Sequence, residues 1–339
     1  MRASRNKTMA NEIMKNQLIS KNLIGRPYWQ APILAARVEA KNCIAHHLVA
    51  IKAIESACNI KVSTQTVNLR KLLLAAEFIK NHTLYLYEAI LPTFLDLETV
   101  SELAKMHPEI YHCALALTQF TDQILISIGG RVFYPITSVV SGFKSHPNKS
   151  ELKQFVASNE NLATFADQTL RLFAGLKLQA EKSKTDFVAL HQNDEYAFYD
   201  GEIWTSAGEI ITRDKFEKLV KYSNKKTFGA LARYNLSQSH LDAHTKKLLS
   251  ELKVEKNLSG QSGEMLAAAT ELNYFITLSM NLLEKLARDG VKPEHILPPQ
   301  KFSTGSAVIE SAGGAIIHSC ELDKNGIILK YEIDMLNYS

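Results

Sequence analysis

The stretch VNLRKLLLAAEFIKNHTLYLYEAILPTFLD, residues 67–96, limits the choice of folds more than any other part of the chain. Leu69, Leu72, Leu73, Ala76, Ile79, Leu84, Leu86 and Ile90 follow one another so closely that a helix built from them is apolar on most faces. Such a helix needs neighbours on several sides, which predicts a helical bundle with this segment inside it. Asn68 is placed to cap its start and Pro92 to end it. The 339 residues, 46% hydrophobic and 22% charged, suffice for one large or two ordinary domains.

The remaining pattern is mainly helical. Residues 1–22 are polar and read as a loose tail or a short solvated helix, with Met9 and Met14 as alternative starts, and residues 23–339 read as a single domain. Pro32 to Asn59, Ile110 to Ile128 and Ser150 to about Lys184 have helical apolar spacing. Gly129-Gly130 ends the second of these, and RVFYPITSVVSGF follows as a loop with a short extended piece. Alternating residues over 186–212, with Asp200-Gly201 as a turn signal, predict a small antiparallel excursion. Helices are expected near Arg213 to Tyr222 and over Glu264 to Arg288. Asn325-Gly326, between alternating apolar runs, predicts a C-terminal hairpin with a type I′ turn.

Composition excludes several classes. Lys+Arg 39 against Asp+Glu 35 is too even, and too scattered, to point to nucleic acid. No apolar run reaches the roughly 18 residues of a membrane span, and MRASRNKTMANEIMKNQ has no secretory h-region, so a cytoplasmic location is expected. The four cysteines, Cys43, Cys58, Cys113 and Cys320, form no CxxC pair and read as reduced, buried thiols. Gly129-Gly130 and Gly313-Gly314 fit no phosphate-loop frame, and neither GxSxG nor HExxH occurs. His240 and His244 are spaced i,i+4 without an adjacent third ligand, which favours a solvated polar helix over a metal site. Glu294-His295 reads as a surface loop. Glu39, Asn42, Cys43, His46 and His47 form the densest polar cluster, and His82 reads as a hydrogen-bonded core or interface histidine.

Several longer segments, in order, resemble the large subunit of nickel–iron ([NiFe]) hydrogenases, especially the soluble groups that reduce NAD(P) or coenzyme F420. GRPYWQAPILAARV (Gly25 to Val38) is similar to the family's GRPxxxxPxIxxRI, and HHLVAIKAIE (His46 to Glu55) to its HxLAxxxAIE helix. LRKLLLAAEFIKNHTLYLY is similar to the long central helix, GGRVFYPITSVVSGF to GGRxxHPxxxxVGGF, and FGALARYN (Phe228 to Asn235) to VGPLARxN. GSAVIESAGGAIIHSCELDKNGII is similar to GVGxxEAPRGxLxHxxxxDxxGxI. The resemblance implies a mainly α fold with small β excursions, a large-subunit-like helical bundle ending in a β-hairpin.

The departures fall on the family's chemistry. Where the resemblance places the CGxCxxxH motif, the two thiolate positions carry Glu39 and Asn42 while His46 is kept, and Cys43 lies one residue, about 100° of helix, out of register. The arginine of EAPRG aligns with Gly313. The chain ends at LNYS, so the family's C-terminal DPCxxC pair is expected to be missing, as is its N-terminal ExxTRIEG region. A carboxylate and an amide are poor substitutes for soft bridging thiolates. The expectation is therefore a large-subunit-like chain with no catalytic residues, metal or cofactor of its own. It would pair with an iron–sulfur small-subunit-like partner, alongside subunits carrying flavin or NAD(P). Arg37, Glu39, Asn42, His46 and His82 are the candidate partner- or substrate-facing residues. The alternatives are a vacated cavity that binds a quinone or small substrate, and, as the weakest, an active metal enzyme using Cys43 and histidines.

Overall fold

The computed structural model describes residues 14–176, 186–212 and 226–336. Residues 14–23 are helical, and Leu23 at their end is buried. The helices that position the candidate site are α1 (Ala31–Ala35), α2 (Cys43–Ala57), α3 (Thr64–Thr83) and α4 (Pro108–Gly129). After these come α5 (Lys149–Ser158), α6 (Leu162–Gly175), α7 (Gly229–Ser237), α8 (Ala243–Glu251) and α9 (Gly260–Asp289).

The apolar segment around α3 lies at the centre, as its pattern requires. Leu69, Leu72, Leu73, Leu74, Ala75, Ala76, Phe78 and Ile79 are fully buried, with α4 and α9 packed against the helix. Its start differs from expectation: Ser63, not Asn68, is the cap, its Oγ accepting from Thr66 N at 3.0 Å. Asn68 sits inside the first turns. The far end is also less regular than the sequence suggests, widening into a π-helical turn over Leu84–Ile90 before the short helix Leu91–Phe94. There Tyr87 Oη lies 2.7 Å from Thr169 Oγ1, which ties the widened turn to α6.

Two of the long expected helices are interrupted. Pro32 to Asn59 breaks between α1 and α2, where Glu39 is extended and Ala40–Asn42 forms a 3-10 turn. Ser150 to Lys184 divides at Asn159, and its last residues lie outside the described ones, as does the helix expected near Arg213 to Tyr222. The expected Glu264 to Arg288 helix is α9, extended at both ends.

The described strands form three small sheets. β1 (Ser138–Val139) and β2 (Gly142–Phe143) make a two-residue hairpin in the loop after α4. β3 (Asp186–His191) pairs antiparallel with β4 (Glu202–Thr205), Val188 opposite Thr205, and parallel with β5 (Lys226–Thr227). The C-terminal sheet is an antiparallel meander of β6 (Thr304–Ser311), β7 (Gly314–Leu322) and β8 (Ile328–Met335), with His318 opposite both Ala307 and Ile333. The hairpin between β7 and β8 forms where expected, but not through a type I′ turn. Of Asn325 and Gly326 only Gly326 has positive φ, at +76°, and Asp323 Oδ1 organises the connection by accepting from Asn325 N and Ile327 N, both at 2.8 Å.

This sheet lies directly on α2 at Gly305. A Cβ added there would fall on the backbone nitrogen of Ala57 and the backbone oxygen of Ala53, so only glycine permits the approach. Gly305→Ala is expected to destabilise the chain by at least about 1–3 kcal/mol, as overpacking against backbone does. Urea unfolding checks this, and a midpoint equal to that of the parent would contradict the close packing.

Candidate functional site

The break between α1 and α2 carries Glu39 and Asn42, the first two residues of the polar cluster. Glu39 is extended and half-buried; its carboxylate pairs with Lys41 Nζ at 2.9 Å and accepts from Asn42 Nδ2 at 2.7 Å. Asn42 is buried, and Asn81 Nδ2 on α3 donates to Asn42 Oδ1 at 3.2 Å and to Lys41 O at 2.9 Å. The two residues standing at the thiolate positions of the resemblance thus satisfy each other and the neighbouring helix.

Cys43 opens α2 and points away from this pair, its Sγ accepting from Tyr134 N at 3.5 Å. Burial, reinforced by the charge of Glu77, pushes its thiol up to about 12, so it stays protonated. Behind it Glu77 on α3 accepts from Ile44 N (2.6 Å) and Ala45 N (3.0 Å), supplying an internal acceptor for the first turn of α2. Burial pushes Glu77 up to about 8, while those two N–H donors pull it the other way. Arg37 is exposed, with its guanidinium 5.1 Å from the centre of the Tyr134 ring.

The other two sequence candidates belong to different sets. His46 is fully buried between α2 and the C-terminal sheet, where its Nδ1 lies 3.1 Å from His318 Nε2, and His318 Nδ1 lies 2.8 Å from Tyr331 Oη. With Tyr331 donating to His318 and His318 to His46, both rings are neutral and the Nε2–H of His46 has no partner among the described residues. Burial alone lowers His46 to about 3, and burial with the neighbouring imidazole holds His318 well below its ordinary range.

His82 Nε2 sits 2.7 Å from Glu271 Oε2 on α9, in a buried network that the sequence does not single out. Its centre is Arg233 on α7, which pairs with Glu271 (2.6 and 2.8 Å) and with Glu310 on β6 (2.7 Å). It also donates to Ser311 O at 2.8 Å and Ala312 O at 3.2 Å, fixing the β6–β7 turn that carries Gly313. Tyr196 donates to Glu271 Oε1 at 2.7 Å. Burial pushes Glu271 up, but the charge and hydrogen bonds of Arg233, with those of His82, outweigh it and hold the carboxyl at about 2. A second pair, Arg70 with Glu55 (2.7 and 2.8 Å), fastens α3 to α2, and the same Glu55 accepts from Ser141 N at 2.8 Å. The signal that could have found these residues is a lone charge inside an apolar helical run: Glu77 in LLLAAEFI, Arg233 in GALARY, Glu271 in AAATELNYF.

One local reading is also corrected. His240 and His244 share no helix: His240 ends a 3-10 turn, while His244 lies in α8, where Asp242 caps the helix and Asp167 Oδ1 is 2.8 Å from His244 Nε2. Glu294 is more than a loop residue. Its carboxylate accepts from Ser63 Oγ (2.5 Å) and Thr66 Oγ1 (2.7 Å), holding residues 291–298 to the start of α3. All four cysteines are free and buried.

No family model matches the sequence. The chain is similar to sulfhydrogenase 2 subunit alpha of Pyrococcus furiosus, 26% identical over 90% of this chain and 75% of that one. It is similar also to NAD-reducing hydrogenase HoxS subunit beta of Cupriavidus necator, 21% identical over 90% and 74%. Among solved structures, an NAD+-reducing [NiFe]-hydrogenase superimposes with a TM-score of 0.78 at 18% identity, over 93% of this chain and 79% of that one. The Ni-Fe-Se hydrogenase of D. vulgaris Hildenborough gives 0.73 at 17% identity. The chain therefore has the fold of a nickel–iron hydrogenase large subunit and resembles that family in sequence along nine-tenths of its length.

Two outcomes follow from the buried groups. Arg233→Met leaves two buried carboxylates without their cation and is expected to cost about 3–5 kcal/mol in urea unfolding; a loss below 1 kcal/mol would contradict the hub. The His46–His318 pair makes the fold acid-sensitive. The unfolded chain takes up protons as pH falls through about 6.5, whereas folded His46 refuses them until about 3. Its share of stability is full above pH 6.5 and falls below it, by roughly 2 kcal/mol at pH 5. His46→Gln should remove that share from the pH dependence of unfolding.

Proposed function

We propose that this chain is a hydrogenase-large-subunit-like scaffold without a nickel–iron centre, which docks an iron–sulfur small-subunit-like partner within a multi-subunit electron-transfer complex. The observation that carries this reading is the Glu39–Asn42–Asn81 set. At the two internal positions where the resemblance places thiolates stand a carboxylate and an amide, hydrogen-bonded to each other and to α3. These donors do not fit a nickel–iron centre, because low-spin iron and nickel need soft thiolates and the adjacent Cys43 thiol is held protonated and turned toward Tyr134.

A docking role is supported by the surface beside this set. Trp29, Ile33, Phe133 and Ile136 are each about half exposed, on the segment around α1 and in the loop after α4. The His47 ring, spanning Pro32 O (3.1 Å) and Ser138 O (2.9 Å), joins those two segments. Large apolar side chains held on a rigid face suit a partner surface better than water. The partner's clusters, with flavin or NAD(P) in further subunits, would carry the electrons, and this chain would set the burial and polarity around the nearest cluster. Among the described residues no helix is long and apolar enough to cross a membrane, so nothing there argues for a membrane subunit. The alternative of a substrate or quinone cavity shared by Glu39, Asn42, His46 and His82 receives less support, since His46 and His82 are engaged by His318 and Glu271.

The test is purification of the complex from its native source, with identification of its subunits and analysis of nickel, iron and sulfide. Iron and sulfide accompanying a co-purifying small-subunit-like protein, with no nickel, is the expected result; stoichiometric nickel in this chain overturns the proposal. Ile136→Asp is expected to weaken assembly by at least about tenfold, roughly 1.4 kcal/mol, without lowering the melting temperature. Glu39→Gln should leave both assembly and turnover of the complex unchanged.

A further inference from the structure

His240, whose i,i+4 relation to His244 dissolves in the folded chain, acquires a different imidazole neighbour. His191 closes β3, and its ring centre lies 5.8 Å from that of His240, with the planes at 56°. His191 is held from two sides. Its Nδ1 lies 3.2 Å from the Oγ of buried Ser237 at the end of α7, and its ring packs against Trp204 of β4 at 4.5 Å between centres. With Nδ1–H donating to Ser237, the Nε2 lone pair of His191 is left for another partner, and among the described residues no hydrogen bond occupies it. On the other ring, Nδ1 of His240 is buried and has no hydrogen-bond partner among the described residues. An unpartnered buried ring nitrogen is costly unless something binds it.

We propose that His191 and His240 together take up a borderline divalent cation such as Cu2+, Zn2+ or Ni2+ through one ring nitrogen each. Metal–nitrogen bonds of about 2.0–2.1 Å put two imidazole centres sharing an ion roughly 5 to 6 Å apart, so the observed spacing needs little adjustment. Neutral imidazole is the ligand form for these metals. Burial and the proximity of His240 both lower the pKa of His191, which keeps its ring neutral at ordinary pH. Among the described residues no group of three or more His, Cys, Asp or Glu converges to hold an ion, so water fills the remaining positions and the site is a labile one. It is separate from the Glu39–Asn42 set and does not depend on the proposed docking function.

The test is titration of the full chain with Cu2+ alone, in a non-coordinating buffer near neutral pH, followed by calorimetry and electron paramagnetic resonance. One equivalent should bind with a dissociation constant on the order of micromolar, with coupling to two ring nitrogens. His191→Asn and His240→Asn should each weaken that equivalent by about tenfold or more, because either change removes the chelate. His244→Asn, at an imidazole paired with Asp167 instead, should leave it unchanged. Both target rings are partly exposed, and circular dichroism confirms that each variant folds; if one does not, the other decides. Equal affinity in the parent and the two variants, loss that follows His244, or no bound equivalent overturns the proposal.

Discussion

Arg233 is the interaction on which the rest of the arrangement depends. It is fully buried and joins three elements distant in sequence: α7, which carries it, α9 through Glu271, and β6 through Glu310. Through Glu271 the link reaches His82 on the central helix and Tyr196 in the segment between β3 and β4. In a low-dielectric interior a guanidinium with two carboxylates is tolerated only if nearly every donor and acceptor is matched. The Ser311 and Ala312 carbonyls complete that matching and fix the turn at Gly313.

The residues that carry the family resemblance divide by location, and the division bears on function. Glu55, Arg70, His82, Arg233, Glu310 and His318 all match family segments and are all buried in ion pairs or hydrogen-bonded chains between elements. They hold the scaffold together whatever chemistry it supports. The positions that depart, Glu39, Asn42 and Gly313, lie in the break before α2 and in the β6–β7 turn, outside the regular helices and strands. The framework and the positions that depart from the family pattern thus draw on different residues.

Much of the bundle was legible in the sequence because its signals are local. The burial of the central helix follows from its continuous apolar faces, and the end of α4 follows from Gly129-Gly130. What failed was decided by partners distant in sequence, which no local signal reveals. Asn68 and Ser63 both suit a cap, and Ser63 prevails where Glu294, more than two hundred residues away, fastens the same turn. The helix expected across Pro32 to Asn59 breaks because Glu77, on another helix, supplies acceptors to the first turn of α2 and lets it begin at Cys43. The candidates Glu39 and Asn42 do meet, whereas His46 and His82 are drawn into separate networks by His318 and Glu271, partners that no spacing rule connects to them.

The sequence by itself determined that this chain builds a mainly helical bundle around residues 67–96, and that carboxylate and amide stand where the family resemblance places two internal thiolates. The first is a property of residue type and periodicity and the second of the family resemblance, and both are complete in one dimension. Only the tertiary structure decided which polar groups share a site: Glu39 with Asn42 and Asn81, His46 with His318 and Tyr331, Arg233 with Glu271 and Glu310, His240 with His191 rather than with His244. Those pairings are long-range, and they are selected by the need to match every buried donor with an acceptor once the apolar faces have closed.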